Sequence, residues 1–380
     1  IIRKVYLFTF SINTTIDQTM KKTTLYNTHL SLNAKMTSFG GYEMPVQYSG
    51  VKNEHLAVRK DLGVFDVSHM GEFYVYGPNS LRFLQHICSN DISKINIGKA
   101  QYNYIPNDKG GIVDDLIIYR LEKEKYLLVV NASNIKKDWD WIQNHNQEFN
   151  AQIEDHSKSI GLLAIQGPKA IIAMQQLTDY KLKNLEYYSH TKAVFADIKN
   201  TIIATTGYTG AGGIEVYFPT IHAEHIWNAV MKAGACHGIV PAGLAARDTL
   251  RIEMGYCLYG NEIDEESSPI AAGLSWVSKT ETGFINSKNI KNQIFNGSDK
   301  KLIGFKMDVR AVPRRGYSII DNHGKPIGIV TSGTQSPTLS IGIGLGYINI
   351  ENSKVGNKIG ILIRKKTCSA HIVKLPFIKN

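Results

Sequence analysis

Cysteine is scarce in this chain, and long uncharged apolar runs are missing. The 380 residues include only Cys88, Cys236, Cys257 and Cys368, which lie far apart and form neither a CxxC pair nor a cluster with histidine at metal-ligand spacing. These absences argue against a disulfide scaffold or zinc motif and favour a reducing compartment. A membrane-spanning helix needs about 20 consecutive apolar residues, and no segment approaches that length. The sequence therefore predicts a soluble protein.

The remaining composition is that of a globular protein with a basic balance. Lys and Arg number 43 against 33 Asp and Glu, which gives a formal net charge of +10. Such a charge suits an anionic small molecule or an acidic partner. The basic residues are scattered, however, and neither an RNP motif nor paired zinc ligands occur, so nucleic-acid binding is not favoured. The length favours two or three domains.

The first nineteen residues differ from the rest of the chain. They begin without methionine, contain Arg3 and Lys4, include Asp17 as their one acidic residue, and lead directly into Met20. We expect residues 1–19 to be a non-native or disordered leader and Met20 to be the natural start.

An internal repeat is the clearest organisational feature. Segments 72–78 and 161–168 each have the pattern of a strand that ends in Gly-Pro, and each is followed by apolar residues at helical spacing. Proline suits the first helical position, because its missing N–H would have no intrahelical partner there. The two segments lie about 90 residues apart, a period that predicts two related α+β subdomains.

Further strands and helices follow from the periodicity. Apolar runs predict strands at 126–130 and 201–204, and helical spacing predicts helices at 223–235 and 241–255. We expect an α+β region over residues 20–291.

The pattern changes near residue 300. Short apolar runs at 318–320, 327–330, 341–350 and 359–363 are separated by Gly, Pro, Ser and Asn. This spacing predicts an all-β barrel or sandwich over residues 300–378. The polar stretch 292–301 is the expected connection.

Two adjacent acids interrupt an apolar strand at residues 110–119. Alternation in a strand places Asp115 on one face with Val113, Ile117 and Tyr119, and Asp114 on the opposite face. If both faces are covered, at least one carboxylate is buried, and burial perturbs an acid unless it is paired or hydrogen-bonded. The alternative is a turn-capping Asp114 with a salt-bridged Asp115. Periodicity does not choose between the two acids.

A glycine-rich stretch precedes a third acid, Glu215. Segment 206–218 lacks the Lys-Ser/Thr ending and the following helix of a phosphate-binding loop. We expect instead that the glycines let the backbone approach a ligand. Glu215 would then accept hydrogen bonds at the start of a strand, because a carboxylate can take two parallel N–H donors. A surface hairpin with a solvated Glu215 is the alternative.

The helix predicted at 241–255 carries Arg247 and Arg251 on one face. Like charges four residues apart destabilise a helix. Either Asp248 or Glu253 compensates them, or one arginine faces an anionic site. The alanine-rich surroundings favour Arg247 as the inward one.

Other catalytic and cofactor-binding motifs are absent or incomplete. The run 341–346 lacks GxGxxG spacing and does not open a helix. No GxSxG or HExxH occurs, and adjacency gives Ser68 and His69 poor geometry for a nucleophile and base.

Seven ordered segments resemble the aminomethyltransferase, or T-protein, family of the glycine cleavage system. The resemblance extends from about residue 24 to residue 377. It is carried by segments 39–48, 64–71, 110–119, 207–210, 243–251, 257–264 and 330–337.

The resemblance implies a three-domain cloverleaf, in which two related α+β subdomains and a C-terminal β-barrel surround a central tetrahydrofolate site. Asp115, the second acid of the pair, would be the catalytic carboxylate near folate N5. Glu215 and Arg247 would bind the pterin. The remaining residues implied to line the site are Tyr102, Tyr119, Asn131 and Trp276.

The implied reaction moves the methylene carbon of an aminomethyl group from the dihydrolipoyl group of H-protein to tetrahydrofolate, with release of ammonia. H-protein would therefore be the partner, with no metal, nucleic acid or membrane involved. The family implies a cytoplasmic protein in bacteria and a mitochondrial matrix protein in eukaryotes.

The chain departs from the family pattern in two places. Ala211 and Gly212 replace an acidic pair that often follows Gly-Tyr-Thr-Gly, and the chain stops at Asn380, where some relatives continue with a tyrosine-bearing tail. Both departures concern the pterin edge.

Three rival functions remain open. Residues 254–261 lack the Lys-Gly-Cys-Tyr-x-Gly-Gln motif of a folate-binding relative used in iron–sulfur maturation, which disfavours that function. A demethylase-type folate domain normally accompanies a flavin domain, and this sequence contains none. A noncatalytic module would bind tetrahydrofolate without turnover.

Overall fold

The structure, a computed structural model, describes residues 20–379, so the expected leader at residues 1–19 lies outside it. None of the helices among the described residues is long and apolar enough to cross a membrane. The helices are α1 (Tyr26–Ser31), α2 (Val51–Lys60), α3 (Ser80–Ile87), α4 (Ile135–His145), α5 (Ala170–Met174), α6 (Ala223–Gly234), α7 (Leu244–Met254) and α8 (Ser287–Asn296).

The strands form two large sheets, a small N-terminal sheet and a barrel. They are β1 (Lys21–Lys22), β2 (Lys35–Phe39), β3 (Tyr42–Gln47), β4 (Leu62–Asp66), β5 (Gly71–Tyr76), β6 (Ala100–Pro106), β7 (Ile112–Glu122), β8 (Lys125–Val130), β9 (Gln152–Asp155), β10 (Ile160–Gln166), β11 (His190–Phe195), β12 (Ile198–Ala204), β13 (Gly213–Pro219), β14 (Ile239–Pro241), β15 (Lys300–Met307), β16 (Ser318–Ile320), β17 (Pro326–Gln335), β18 (Gly342–Asn349), β19 (Lys358–Ile363) and β20 (Lys366–Val373).

Two α+β units with the same order of elements follow one another. In the first unit β5 and α3 precede β6, β7, β8 and α4, and in the second β10 and α5 precede β11, β12, β13 and α6. Equivalent strands also take equivalent places, because the sheets run β6-β7-β8-β5-β9 and β11-β12-β13-β10-β4-β14. The α+β fold class with two related units is confirmed.

Each Gly-Pro pair forms a turn between strand and helix. Gly77 and Gly167 have φ angles of 95° and 136°, a region that favours glycine. Their carbonyls accept hydrogen bonds at 3.0 Å from the N–H groups of Ser80 and Ala170. Each proline is therefore the second residue of a β-turn, where its fixed φ is favoured. The prediction that proline opens the helix was wrong by two residues, since the helices begin at Ser80 and Ala170.

The two units exchange a strand. Strand β4 precedes β5 in the chain but pairs with β10, and β9 precedes β10 but pairs with β5. A shared apolar core that includes Phe65, Leu127, Leu162 and Tyr217 joins the facing sheets. Because each sheet is completed by a strand from the other unit, the two units fold as one body.

The C-terminal segment closes into a six-stranded barrel in the order β15-β18-β17-β16-β19-β20. Strand β15 closes it by pairing with both β18 and β20. The predicted all-β barrel is confirmed. The connection differs from the expected polar linker, because α8 continues to Asn296. Ile290 is fully buried in that helix, and its packing extends the helix into the polar stretch.

Strand β7 keeps the predicted alternation only from Asp114 onward. The register with β6 shifts between Ile105 and Pro106, so Val113 has no paired residue. Val113 packs in the same core as Leu116, which places it opposite to the face that strict alternation predicts. A bulge adds one residue to one strand and reverses the facing of side chains beyond it.

Helix α7 begins at Leu244, three residues later than predicted, because β14 extends to Pro241. Its Arg251 is fully buried and donates to Glu262 Oε2 at 2.7 Å, to Asp248 Oδ1 at 2.9 Å and to Ser332 Oγ of the barrel at 2.7 Å. Asp248 thus compensates Arg251 as the sequence suggested.

Glu253, the other acid proposed to compensate the arginines, faces α2 instead. Its carboxylate contacts His55 Nε2 at 3.2 Å and Arg59 Nη2 at 3.0 Å, and it accepts hydrogen bonds from Ser336 and Thr338 of the barrel segment. Burial alone would raise the pKa of Glu253, but the hydrogen bonds from His55 and Ser336 and the charge of Arg59 lower it to about 2. The two buried ion pairs bind α7 to the rest of the molecule.

The substitution Arg251→Met is expected to lower the free energy of unfolding by roughly 3–5 kcal/mol, because it leaves the buried carboxylate of Glu262 without its cation. Chemical denaturation measures the change. As a control, Lys136→Met breaks the exposed Lys136–Asp140 pair and should change stability by less than about 0.5 kcal/mol. Equal losses in the two variants would contradict a structural role for the buried pair.

Candidate active site

Asp115 lies on β7 in a half-buried position, with its carboxylate held from two sides. Tyr102 Oη donates to Oδ2 at 2.9 Å, and Asn131 Nδ2 donates to Oδ1 at 2.9 Å. Burial, followed by the charge of neighbouring Asp114, raises the pKa of Asp115 to about 7, although both hydrogen bonds act to lower it. At neutral pH this group therefore exchanges between carboxylate and acid.

Asp114, the other acid of the pair, is fully buried on the opposite face. It accepts hydrogen bonds from the backbone N–H of Asn131 at 2.9 Å, from Asn131 Nδ2 at 2.9 Å and from Asn134 Nδ2 at 2.6 Å. These donors hold the start of α4 against β7. Asn131 Nδ2 thus contacts both carboxylates, and the geometry separates a structural acid from a partly exposed one.

An aromatic pair lies beside Asp115. The rings of Tyr102 and Trp276 stack at a centroid distance of 5.9 Å and an interplanar angle of 16°. Trp276 remains 60% exposed, so it forms the outer edge of the pair while Tyr102 contacts the carboxylate. Four residues predicted to share a site, Asp115, Tyr102, Asn131 and Trp276, are brought together.

Glu215 is on β13 of the second unit, nearly buried. Its Oε2 accepts hydrogen bonds from Thr206 and, at 3.5 Å, from Tyr119. Tyr119 Oη also contacts Thr206 Oγ1 at 2.7 Å and Tyr217 Oη at 2.8 Å. Tyr119 therefore lies with Glu215 and not with Asp115, from which it is four residues, about 13 Å, distant along β7.

Arg247 lies on α7 and shares an electrostatic environment with Glu215. Burial lowers its pKa and the Glu215 carboxylate raises it, but the two groups form no ion pair within 4.0 Å among the described residues. Nη1 of Arg247 is buried and has no hydrogen-bond partner in residues 20–379. The guanidinium carbon lies 4.8 Å from the ring centre of Tyr208. The prediction that Arg247 is the inward arginine was incomplete, because Arg251 is the more deeply buried one.

The electrostatic surroundings of two tyrosines, Tyr188 and Tyr208, include groups from both the Asp115 end and the Glu215 end. Burial raises the pKa of Tyr188, and the charges of Glu215 and Asp115 raise it further. Burial also raises the pKa of Tyr208, and the charge of Asp115 adds to this effect, whereas the charges of Arg251 and Arg247 act to lower it. Tyr188 has a φ angle of 59°, a conformation that costs a bulky residue of order 1–3 kcal/mol and often marks functional sites. Tyr188 thus lies within electrostatic range of both ends.

The glycine-rich loop before Glu215 packs against protein and not against an open site. A Cβ at Gly207 would meet Gln166 Oε1 at 2.1 Å, and one at Gly213 would meet the carbonyl of Ile165 at 2.2 Å. At these two glycines the backbone closely approaches β10. A Cβ at Gly212 would meet nothing within 4 Å, so the departure from the family pattern at this residue faces open space.

The Ser68–His69 pair has a structural role. Ser68 Oγ donates to the carbonyl of Leu162 at 3.2 Å and accepts from its N–H at 3.0 Å. Burial lowers the pKa of His69 to about 4, and its ring packs edge-on against Phe39 and Tyr42. Within residues 20–379 no group of three or more His, Cys, Asp or Glu could hold a metal ion.

Sequence reasoning missed several contributors to this site. Burial and the charge of Asp114 raise the pKa of Asp138 on α4, and the position of Asp138 could have been found, since Ile135, Asp138 and Ile142 share one helical face. Thr206, Tyr188, Tyr208 and Tyr217 gave no comparable signal, because their roles depend on which strands face each other.

Family models match most of the chain. The model of the GCVT N-terminal domain matches residues 25–282, and the model of the glycine cleavage T-protein C-terminal barrel domain matches residues 300–379. Together they span both α+β units and the barrel.

Proteins similar over their full length carry one name. The aminomethyltransferases of Flavobacterium psychrophilum and Bacteroides thetaiotaomicron are 55% and 53% identical over 361 and 362 residues, which is 95% of this chain and 100% of each relative. The crystal structure of glycine cleavage system aminomethyltransferase T from Bartonella henselae superposes with a TM-score of 0.89 at 31% identity, covering 95% of this chain and 98% of that one. With these identities, and with an acid pair and arginine in the positions described above, the chain belongs to the aminomethyltransferase family of glycine cleavage T-proteins.

Proposed function

We propose that this transferase moves the methylene carbon of an aminomethyl group, carried on the dihydrolipoyl group of H-protein, to tetrahydrofolate. The products are 5,10-methylenetetrahydrofolate, ammonia and dihydrolipoyl H-protein. The observation that carries the proposal is Asp115, a half-buried carboxylate with a pKa near 7 that is oriented by Asn131 and Tyr102 beside an aromatic stack.

The reaction needs neither oxidant nor reductant. Two C–N bonds form, from the carbon to N5 and to N10 of tetrahydrofolate, while the C–S and C–NH₂ bonds of the carrier break. The protons of N5 and N10 end on the sulfur and on ammonia, so atoms and charges balance. The protein has to position N5 against the carbon and stabilise the positive charge that develops there.

Asp115 suits this role. Its carboxylate is fixed through both oxygens, so it can stabilise positive charge at N5 with little reorganisation. A pKa of about 7 also lets the same group exchange a proton at neutral pH. We assign Asp115 as the catalytic residue.

Glu215 and Arg247 suit the pterin end of tetrahydrofolate. Oε2 of Glu215 is taken by Thr206 and Tyr119, whereas no described residue donates to Oε1. A pterin edge offers paired N–H donors that match a carboxylate, and the unpartnered Nη1 of Arg247 offers a donor to the pterin carbonyl. Tyr119 would then orient Glu215.

The outer edge of the site suits an aromatic ring and a carrier protein. Exposed Trp276, stacked on Tyr102, can cover the planar part of the folate. The net charge of +10 would attract anionic folate and an acidic lipoyl carrier. We place the activity in the cytoplasm of a bacterium, in keeping with the bacterial origin of the similar aminomethyltransferases.

The function is tested by mixing the purified protein with tetrahydrofolate and H-protein loaded with the aminomethyl group. Ammonia and 5,10-methylenetetrahydrofolate are expected in equal amounts, measured together over time. Binding of tetrahydrofolate with neither product would contradict the proposal and favour a noncatalytic folate-binding module.

The substitution Asp115→Asn is expected to lower turnover by about 10²-fold or more, because it removes the charge that stabilises the transition state. Binding of tetrahydrofolate, which we assign to Glu215 and Arg247, should be largely retained in a calorimetric titration. Asp140→Asn is the matched control, since Asp140 is a half-exposed acid on α4 that pairs only with Lys136. Near-normal turnover of Asp115→Asn would reject Asp115 as the catalytic residue.

The ratio kcat/KM for tetrahydrofolate is expected to fall as the pH drops through about 7, by about tenfold per pH unit below that value. The reason is that burial raises the pKa of Asp115 to about 7, so acidification removes the active carboxylate. An ordinary aspartate would remain charged down to about pH 4. The measurement is kcat/KM against pH, because this ratio reports the ionisable groups of the free enzyme, and a flat profile down to about pH 5 would contradict the assignment.

A further inference from the structure

Asp138 is a second buried acid behind Asp115, and the proposed mechanism does not use it. It lies on α4 on the face that also carries Ile142, and both side chains are fully buried. Neither carboxyl oxygen of Asp138 accepts a hydrogen bond from any residue in the described range 20–379. A buried carboxylate without donors is strongly disfavoured, so the group must lose its charge or find a partner.

The charged and titratable groups around Asp138 are few. Asp114 faces it from β7, Asp115 contributes its charge from the other face of that strand, and Lys137 precedes it on α4. Tyr259 approaches from the segment after α7. The ammonium of Lys137 donates to Tyr259 Oη at 2.6 Å, and Tyr259 Oη donates to the carbonyl of Ile112 at 3.1 Å. Neither group donates to Asp138, whose carboxyl oxygens have no hydrogen-bond partner within residues 20–379.

Asp138 lies one helical turn after Asn134, and because the side chain of Asn134 donates to Asp114 at 2.6 Å, the Asp138 carboxyl faces Asp114 as well. Two carboxyl groups in contact share a proton, because they cannot both be ionised at low cost. The donors decide where this proton lies. Asp114 already accepts three hydrogen bonds, from Asn131 and Asn134, whereas Asp138 accepts none. The charge therefore belongs on Asp114 and the proton on Asp138.

Electrostatics gives the same assignment. Burial, followed by the charge of Asp114, raises the pKa of Asp138 to about 11, and the nearby Lys137 lowers it only in part. Asp138 is thus neutral throughout the physiological range.

We propose that Asp138 is a positioning residue that, as a neutral carboxylic acid, donates a hydrogen bond to Asp114 and thereby fixes Asn131 against Asp115. The contacts form a chain, because Asn131 Nδ2 donates to Asp114 Oδ1 and to Asp115 Oδ1, each at 2.9 Å. Asp114 then receives donors from α4 and from the loop before it. The Asn131 amide, which orients the Asp115 carboxylate, is thus held in place by its other hydrogen bond, the one to Asp114.

Keeping Asp138 neutral also limits the negative charge beside Asp115. The charge of Asp114 already raises the pKa of Asp115. A second charge at Asp138 would add to this effect and reduce the fraction of Asp115 that is ionised at neutral pH. A carboxylic acid supplies a donor at this place without adding either sign of charge.

The role rests on the proposed function. It is tested with two variants of similar size, of which one keeps a hydrogen-bond donor and the other lacks it. Asp138→Asn keeps a donor of nearly the same shape, whereas Asp138→Leu fills the space without a donor. A hydrogen bond to a buried charge is among the stronger hydrogen bonds in a protein, and only the leucine variant loses it. Asp138→Leu should therefore lower kcat by about 10-fold to 100-fold while KM for tetrahydrofolate stays within about twofold. Asp138→Asn should retain kcat within about threefold.

A purely structural role would not give this result. In that case each variant would lower kcat in proportion to its loss of stability, and asparagine would not preserve kcat. Near-normal kcat in Asp138→Leu, or equal loss of kcat in both variants, would overturn the proposal. Asp140→Asn on the exposed face of the same helix is the control and should match the unaltered protein.

A measurement that needs neither turnover nor the leucine variant keeps the proposal testable if that variant does not fold. The infrared difference spectrum between the unaltered protein and Asp138→Asn at about pH 8 should contain the C=O band of a protonated carboxylic acid, since ordinary aspartates are ionised there. Absence of this band would overturn the proposal. Its presence together with a failed aminomethyl-transfer assay would reject the proposed function while leaving the neutral acid in place.

Discussion

Buried charge on helix α7 is the constraint on which the rest of the structure depends. Arg251 is fully buried and binds Glu262 and the barrel residue Ser332, while Glu253 binds Arg59 on α2. An unpaired charge in these positions would cost several kcal/mol, so the barrel, α2 and the segment after α7 can pack only in the arrangement that completes both pairs. Arg247, on the same helix, is thereby carried to the active site.

The hydrogen-bond donors and charges around each buried acid decide its pKa. Glu253 has the cationic partner Arg59 and accepts hydrogen bonds from His55 and Ser336, and its pKa falls to about 2. Asp115 has two neutral donors and a neighbouring carboxylate, and its pKa rises to about 7. Burial acts in the same direction on both groups, so the difference lies in their partners. The surroundings of Glu253 and Asp115, and not their residue types, therefore separate a structural acid from the proposed catalytic one.

The active site forms where the two α+β units meet. Asp115 and Asn131 come from the first unit and Glu215 from the second, and the exchange of β4 and β9 holds the two sheets in register. A site divided between units that could move apart would lose its spacing. The exchanged strands replace such freedom with two antiparallel ladders, which keeps the pterin end and the reacting end at a constant distance.

The sequence by itself determined the repeated α+β units, the C-terminal barrel and the acid pair, because hydrophobic periodicity and turn residues are local properties. The resemblance of the sequence to a family also predicted Asp115, Glu215 and Arg247 as residues of the site. Only the tertiary structure showed that Val113 breaks the strand alternation, that Glu253 pairs with Arg59 on α2 and that Tyr119 donates a hydrogen bond to Glu215. Bulges, strand exchange and the pairing of buried charges join residues distant in the chain, and no local pattern encodes those partners.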